Sequence, residues 1–333
     1  MVKNIVNASG NSKWLSLAGK WITLLLTLVI VQVLISANII NDYIFSTLVT
    51  IGVNIILAVS LNLITGFTGQ FSLGHAGFMS IGAYTCAIIT LRYSTVFGFV
   101  GGVIAGAVFA AIVGFFVGLP TLRLKGDYLA IATIGMAEII KILFRNVLED
   151  ITNGAAGLSE IPQFNNWIWL FVFTAGTVIL ISNFIKSSHG RACISIREDE
   201  IAAEAMGISS TKYKVIAFVT GAFFAGIAGA LYSSYFYYIS PDLFGFQKSI
   251  DILVIVVLGG MGSISGSIIS AILLALISTY LQSFPELKMI IYGVLLVVIM
   301  LFRPQGIMGS KELSLSLLKK WTEGIKGRNG GAA

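Results

Sequence analysis

Apolar stretches about 20 residues long, enough for a helix to cross the hydrocarbon core of a bilayer, recur along the whole chain. They fall near 21–40, 44–64, 71–91, 97–119, 129–147, 167–185, 214–237, 251–281 and 287–302. A bilayer offers no water to backbone amides and carbonyls, so runs of this kind are used as helices, whose hydrogen bonds stay within the segment. No single soluble core could hide them: 56% of the 333 residues are hydrophobic and only 11% are charged. The sequence therefore predicts an all-α fold, a polytopic α-helical membrane protein of about 8–10 transmembrane helices.

Lys and Arg set the expected orientation, because they collect on the cytoplasmic side of a membrane. They concentrate in four segments: the N-terminal tail with Lys3, Lys13 and Lys20, the 120–128 connection, 186–214, and the stretch from Arg303 onward. Together these hold 16 of the 21 basic residues. Placing all four inside leaves the loop 148–166, with Glu149, Asp150 and Glu160, outside. The layout is a cytoplasmic tail over 1–20, a transmembrane domain over 21–310 with a cytoplasmic loop over 186–213, and a basic cytoplasmic tail over 311–333. The first apolar run is too long for a signal-peptide core, and no small-x-small cleavage site precedes Asn38. Alternation fails in the last third, where two further spans after 214–237 would strand the basic C-terminus outside.

Glycine interrupts two of the runs. Gly259-Gly-Met-Gly-Ser-Ile-Ser-Gly266 breaks 251–281, which reads as a broken or partly re-entrant helix, and Thr65-Gly-Phe-Thr-Gly-Gln-Phe-Ser-Leu-Gly-His-Ala-Gly77 breaks the N-terminal half. One Gly-broken segment in each half is a signature of transporters built from internal repeats. Backbone leaves a helix inside a membrane only where protein or a cavity meets it. Gly66, Gly69, Gln70, Ser72, Gly74 and His75, with Gly259, Gly260 and Gly262, are thus expected near a solute path. Phe71, Leu73 or Phe78 would meet an apolar side chain. His75 reads as a hydrogen-bonding partner for unwound backbone and not as a metal ligand.

Ionisable residues within the runs are few. Glu138, Lys141 and Arg145 share one face of 129–147, and Glu138–Lys141 reads as a structural ion pair in the membrane. No P-loop, paired-carboxylate site, nucleophile elbow or Cys/His cluster is evident, so neither an enzyme nor a metal or cofactor site is expected. Basic tails beside membrane spans are read as contacts to anionic lipid, with no nucleic acid partner. A solute carrier without its own nucleotide site must use an ion gradient, act as a channel, or borrow an ATPase.

One charged segment stands apart. Ser195 through Gly207 reads as a single helix of about three turns, opened by a Ser195/Glu198 capping box and ended by Gly207. Ile201, Ala202, Ala205 and Met206 form a small apolar face, while Arg197, Glu198, Asp199, Glu200 and Glu204 crowd the rest. Such a knob between two spans suits a soluble partner.

Leu122-Arg-Leu-Lys-Gly-Asp-Tyr-Leu-Ala-Ile-Ala-Thr-Ile-Gly-Met-Ala-Glu-Ile-Ile140 resembles the signature of the permease subunits of branched-chain amino-acid ABC importers. So do Leu63–Tyr84, Thr152–Leu158, Ile196–Gly207 and Arg303–Gly309, and the 122–140 run resembles the M-type of the two unlike permeases. The resemblance covers about residues 40–310. It implies a permease domain in a bacterial or archaeal plasma membrane, carrying leucine, isoleucine and valine handed over by an external solute-binding protein. It also implies a second permease subunit and two cytoplasmic ATP-binding subunits that hydrolyse ATP. Related permeases carry urea or short amides, and an ion-coupled secondary transporter is the rival class. By resemblance Arg197, Glu198, Glu200, Ala203, Glu204, Ala205 and Gly207 belong to a coupling helix, though Glu204-Ala-Met-Gly207 shortens the usual Glu-Ala-Ala-x-x-x-Gly spacing and no Leu-Pro follows.

Overall fold

The structure is a computed structural model that describes residues 28–37, 40–124, 126–164, 166–282, 284–303 and 305–309. The expected tails, 1–20 and 311–333, lie outside the described residues, as does Lys125. Among the described residues there is no strand, and an isolated antiparallel bridge joins Leu158 to Ile239. After a helical stretch over 28–36, the main helices are α1 Asp42–Asn62, α2 His75–Arg92, α3 Val96–Thr121, α4 Asp127–Ile142 and α5 Trp167–Lys186. Then follow α6 Ser188–Glu198, α7 Glu200–Ala205, α8 Ser210–Tyr235, α9 Phe246–Gly259, α10 Ile264–Tyr280 and α11 Pro285–Phe302. Among the described residues, four helices are long and apolar enough to cross a membrane: Asp42–Phe67 (α1 with a π-helical continuation), α3, α5 and α8.

α8 lies at the centre, packed against α1, α2 and α3. Lipid tails are as apolar as leucine, so helices in a membrane are held by close atomic contact and not by escape from water. The small residues of Gly221-Ala-Phe-Phe-Ala-Gly-Ile-Ala-Gly-Ala230 permit that contact. Gly82 of α2, Gly106 of α3 and Gly226 of α8 meet at one crossing: a Cβ on Gly82 would stand 2.0 Å from the Gly226 carbonyl oxygen, and one on Gly106 2.9 Å from that of Gly82. One turn along, a Cβ on Gly229 would stand 1.8 Å from the Met79 oxygen. α3 and α5 keep much of their apolar surface outward, with Phe109, Phe116, Val172 and Leu180 exposed, as expected where lipid is the solvent.

The last third departs from a single interrupted span. The helix begins at Phe246, not at 251, and α9 and α10 form a hairpin whose tip is Gly260–Ser263. α9 has 14 residues, about 21 Å at 1.5 Å per residue, short of the roughly 30 Å hydrocarbon core. α11 then runs back, so that Ile307 N–H donates to Leu258 O (2.9 Å) and Met308 N–H to Gly259 O (3.3 Å) beside the hairpin tip. Three helices therefore follow α8 where the apolar runs indicated two. This returns residues 305–309 to the end of the bundle that carries α6 and α7 and removes the parity conflict.

Gly82→Ala or Gly229→Ala should destabilise the bundle by about 1–3 kcal/mol or more, the usual cost of overpacking. Gly176→Ala on α5, where a Cβ meets nothing within 4 Å, should be neutral or stabilising by up to about 1 kcal/mol. Thermal unfolding of the detergent-purified variants measures this; equal midpoints for Gly82→Ala and Gly176→Ala would contradict the packing argument.

Candidate functional site

The two Gly-broken segments, far apart in sequence, come together. α1 passes into π-helix over Leu63–Phe67 and then loses helical form until His75, with Gly69 at φ +73°. Gly260 and Gly262, at φ +109° and +89°, turn the hairpin tip in a region that glycine alone enters cheaply. Asn62 joins the segments. Its side-chain amide donates to Ser263 O (2.9 Å) and Ser267 Oγ (2.8 Å), and its Oδ1 accepts from Gly262 N–H (2.8 Å). The backbones are so close that a Cβ on Gly66 would stand 2.3 Å from Gly262 N. Asn62 was not among the expected site residues, although its amide, the second Asn in the apolar run 44–64 after Asn54, was the available signal.

Arg197 reaches this joint from α6. Its Nη1 donates to Gly66 O (2.7 Å), its stem lies beside Gly69, and Nη1 borders Gly262. Glu198 pairs with the same guanidinium. Gly66, Gly69 and Arg197, with Thr65, Phe71, Met261 and Gln305, line a cavity of about 520 Å³. Gly69, Gln70 and Phe71 also border a smaller one of about 160 Å³ beside Glu200 and Lys214.

The other expected residues lie in packed surroundings. Ser72, Gly74 and His75 are buried, and a Cβ on Gly74 would stand 2.4 Å from Thr133 O. His75 opens α2, and its Nε2 bonds Ser60 Oγ at 2.8 Å; its partner is a side chain of α1 and not unwound backbone. Both polar atoms of the Gln70 side chain, Ser72 Oγ and His75 Nδ1 are buried without a protein hydrogen-bond partner. Each such atom costs about 1–3 kcal/mol, so this segment between α1 and α2 concentrates unused polar capacity. Phe78 packs edge-on against Phe218 in the core, whereas Phe71 is exposed. Gly259 and Gly260 pack against Gly266 and Gly309 backbone respectively.

The charged helix differs from its sequence reading. It is two helices, α6 and α7, divided at Asp199, which has extended backbone (φ −157°, ψ 108°). Ser187, not Ser195, caps α6 by accepting from Gly190 N–H (3.3 Å), while Ser195 Oγ donates back to Ala192 O (2.9 Å). Asp199 Oδ1 caps α7 by accepting from Ala202 N–H (3.0 Å). A second capping acceptor three residues before Ala202 outcompeted a continuous helix. Gly207 does end α7, at φ +84°. Glu200 pairs with Lys214, and Ser210 Oγ donates to Glu204, so these two acids brace α7 on the start of α8. Ala203 is buried and faces inward. Ile201 (79% exposed) and Met206 (83%) stand in solvent, with Ala202, Ala205 and Gly207 also exposed.

The Glu138–Lys141 pair forms at 3.7 Å, but Lys141 approaches Asp242 more closely, at 3.2 Å, and Arg145 reaches the same carboxylate at 3.7 Å. Glu138 Oε1 also accepts from Phe246 N–H (3.3 Å) at the start of α9. These side chains are 22–58% exposed, and the cluster ties α4 and the turn after it to the segment before α9.

Residues 43–300 match the family described as branched-chain amino acid transport system, permease component. The chain belongs to that family. The high-affinity branched-chain amino acid transport system permease protein LivM of Salmonella typhimurium is 37% identical over 297 residues, covering 79% of this chain and 69% of the relative. LivH of Escherichia coli K12 is 28% identical over 287 residues, covering 78% and 92%. The probable LivM of Methanocaldococcus jannaschii is 24% identical over 343 residues, covering 86% and 99%. The higher identity to the Salmonella LivM than to LivH agrees with the M-type resemblance of the 122–140 run. No solved structure matches.

Asn62→Leu should cost this permease about 2–5 kcal/mol, because the Gly262 N–H and the Ser263 carbonyl lose a buried partner in one step. Asn62→Gln, which keeps the amide on a longer arm, should recover part of that loss. Thermal unfolding in detergent compares them, and a midpoint unchanged in Asn62→Leu would remove Asn62 as the joint.

Proposed function

We propose that this chain is the M-type permease subunit of an ATP-driven importer for leucine, isoleucine and valine, in a bacterial or archaeal plasma membrane. A second, unlike permease, two cytoplasmic ATPase subunits and an external binding protein complete it. The chain does no chemistry; it offers a path that opens alternately to either side, and its partners hydrolyse ATP. The names of the LivM and LivH relatives supply the solute class. The observation that carries the coupling is the construction of α7. Ion pairing and hydrogen bonding hold its acids on α8, so that Ile201, Ala202, Ala205 and Met206 project as a small apolar knob. Small apolar knobs of this kind fit grooves at the centre of protein interfaces.

Arg197 would relay movement of that knob. It is rooted in α6, two residues before Asp199, donates to Gly66 O and lies against Gly262 at the hairpin tip. Tilting α7 on its ATPase would pull on both broken segments together. On this reading, α6, α7 and residues 305–309 are cytoplasmic, and 148–166 is outside.

Co-purification with the ATPase subunits tests the assignment. Ala205→Trp should prevent their recovery with the permease and abolish uptake. Arg197→Ala should leave assembly intact while lowering uptake and solute-stimulated ATP hydrolysis by about tenfold, the scale of one lost charge-assisted hydrogen bond. Full ATPase recovery with Ala205→Trp would exclude α7 as the docking knob. Single-cysteine labelling from outside should reach 150–160 but not 201–206; Cys86 and Cys193 are buried and add no background. External labelling at Ile201→Cys would reverse the orientation.

A further inference from the structure

Residues 69–74, between α1 and α2, are built inside out. Their exposure alternates along the chain: Gly69 and Phe71 are exposed, Leu73 is half-buried, and Gln70, Ser72 and Gly74 are buried. Such alternation belongs to extended backbone, whose successive side chains point to opposite faces. Here the polar side chains are the hidden ones. Gln70 is 3% exposed and Ser72 1%, whereas the Phe71 ring is 38% exposed. Lipid would favour an outward Phe, but Phe71 faces polar walls, with Arg197 and Gln305 in one cavity and Glu200 and Lys214 in the other. Buried polar groups are normally hydrogen-bonded. Yet Gln70 Nε2, Gln70 Oε1 and Ser72 Oγ have no protein partner. Eight buried side-chain atoms share that condition among the described residues, and four of them belong to Gln70, Ser72 and His75. The shortfall is therefore a property of this segment and not of loose packing in general.

Gly69 and Phe71 border both cavities, so this stretch is the wall between them. Two long hydrogen bonds hold it: Gln70 N–H donates to Ile64 O and Leu73 N–H to Thr133 Oγ1, each at 3.1 Å. The far end is firm, since a Cβ on Gly74 would stand 2.4 Å from Thr133 O and His75 Nε2 bonds Ser60 Oγ. The near end is Gly69, at φ +73°, where glycine opens torsions closed to other residues. What presses on Gly69 is the Arg197 stem, whose Cγ lies 3.2 Å from the position of a Cβ there. A half-turn of 70–72 about these ends would bring Gln70 and Ser72 to the cavity side and Phe71 inward, as a one-residue slip does for any extended chain. It exchanges two long hydrogen bonds for three polar atoms set free to pair and one ring hidden.

We propose that Gly69–Ser72 is a wall with two positions, and that the second presents the Gln70 amide and the Ser72 hydroxyl to the head group of the passing amino acid. The proposal rests on the importer reading above and names side chains that meet the solute. Amide and hydroxyl together donate to a carboxylate and accept from an ammonium. Being neutral, they hold a zwitterion without trapping it. The position described here withholds them, and Arg197, lying on Gly69, selects between the two.

Two measurements test the wall. Gln70→Met and Ser72→Ala replace unpaired polar atoms by apolar ones of similar shape. In detergent, each purified variant should melt at the wild-type temperature or above it, because no bond is lost. In proteoliposomes holding the complete importer, each should take up leucine about tenfold more slowly, the scale of one hydrogen bond to a charged group. Side chains that merely support the fold would lower melting and uptake together. A lower midpoint or unchanged uptake in either variant would overturn the proposal. The second measurement labels Phe71→Cys and Ser72→Cys with a water-soluble maleimide in the permease–ATPase complex, with and without ATP and vanadate. The order of reactivity should reverse between the two conditions, and the same order in both would overturn the proposal. A wild-type complex in which solute-loaded binding protein elicits no ATP hydrolysis would instead overturn the importer reading; the melting comparison needs no partner and still decides whether the buried polar groups are unpaired.

Discussion

Backbone that leaves a helix inside a membrane must find its partners within the protein, and in this chain Asn62 provides them. Its one side chain satisfies the Gly262 amide and the Ser263 carbonyl and holds the Ser267 hydroxyl. The break after α1 and the break between α9 and α10 become a single joint. With no water to compete, each of these bonds is stronger than at a surface, and leaving any of them unmade would cost more. The cavity beside Arg197, the hairpin tip and residues 305–309 are all arranged around that joint.

The joint is also where a soluble partner could act on the membrane domain. α6 and α7 are not an independent loop. Cys193 and Ile196 are buried, Glu200 and Glu204 are fastened to α8, and Arg197 reaches the broken segments. Burial also raises the Cys193 thiol above its ordinary value, in keeping with a packed and not a freely solvated element. The extended Asp199 is the single break between α6 and α7, and both helices are fastened to the bundle. The opposite end is fastened separately: Lys141 and Arg145 meet Asp242, and Glu138 caps α9. These pairs are partly exposed, so their contribution to stability is small; what they fix is the position of the short α9.

The middle of α1 is packed throughout. The buried layer between Asn54 and Asn62 spans about 12 Å at 1.5 Å per residue. It is filled by leucine and alanine on α1 and backed by Ser270, which donates to Ile255 O (2.6 Å) and Gly266 O (2.9 Å). Small apolar and hydroxyl side chains of this sort let helices slide or rotate past one another without breaking a charged network. α8, locked by glycine contacts on α2 and α3, provides the fixed frame.

The sequence by itself determined the class of the molecule. Span-length apolar runs admit only membrane helices, and Gly207 and the Gly259–Gly262 cluster mark stops because only glycine enters their backbone regions at little cost. It also located the apolar knob Ile201, Ala202, Ala205 and Met206, since helical period depends on sequence alone. What tertiary structure decided is which faces meet. Asn62 and Gly262, 200 residues apart, carry no local sign of one another. Asp242 looks like any loop acid until it faces Lys141. The inward turn of Ala203, the Ser60 partner of His75 and the division at Asp199 all depend on packing against α1 and α8. In lipid every helix face is apolar, so hydrophobic pattern cannot tell a buried face from an exposed one. Only shape at close range, with glycine against backbone and one amide between two breaks, makes that choice.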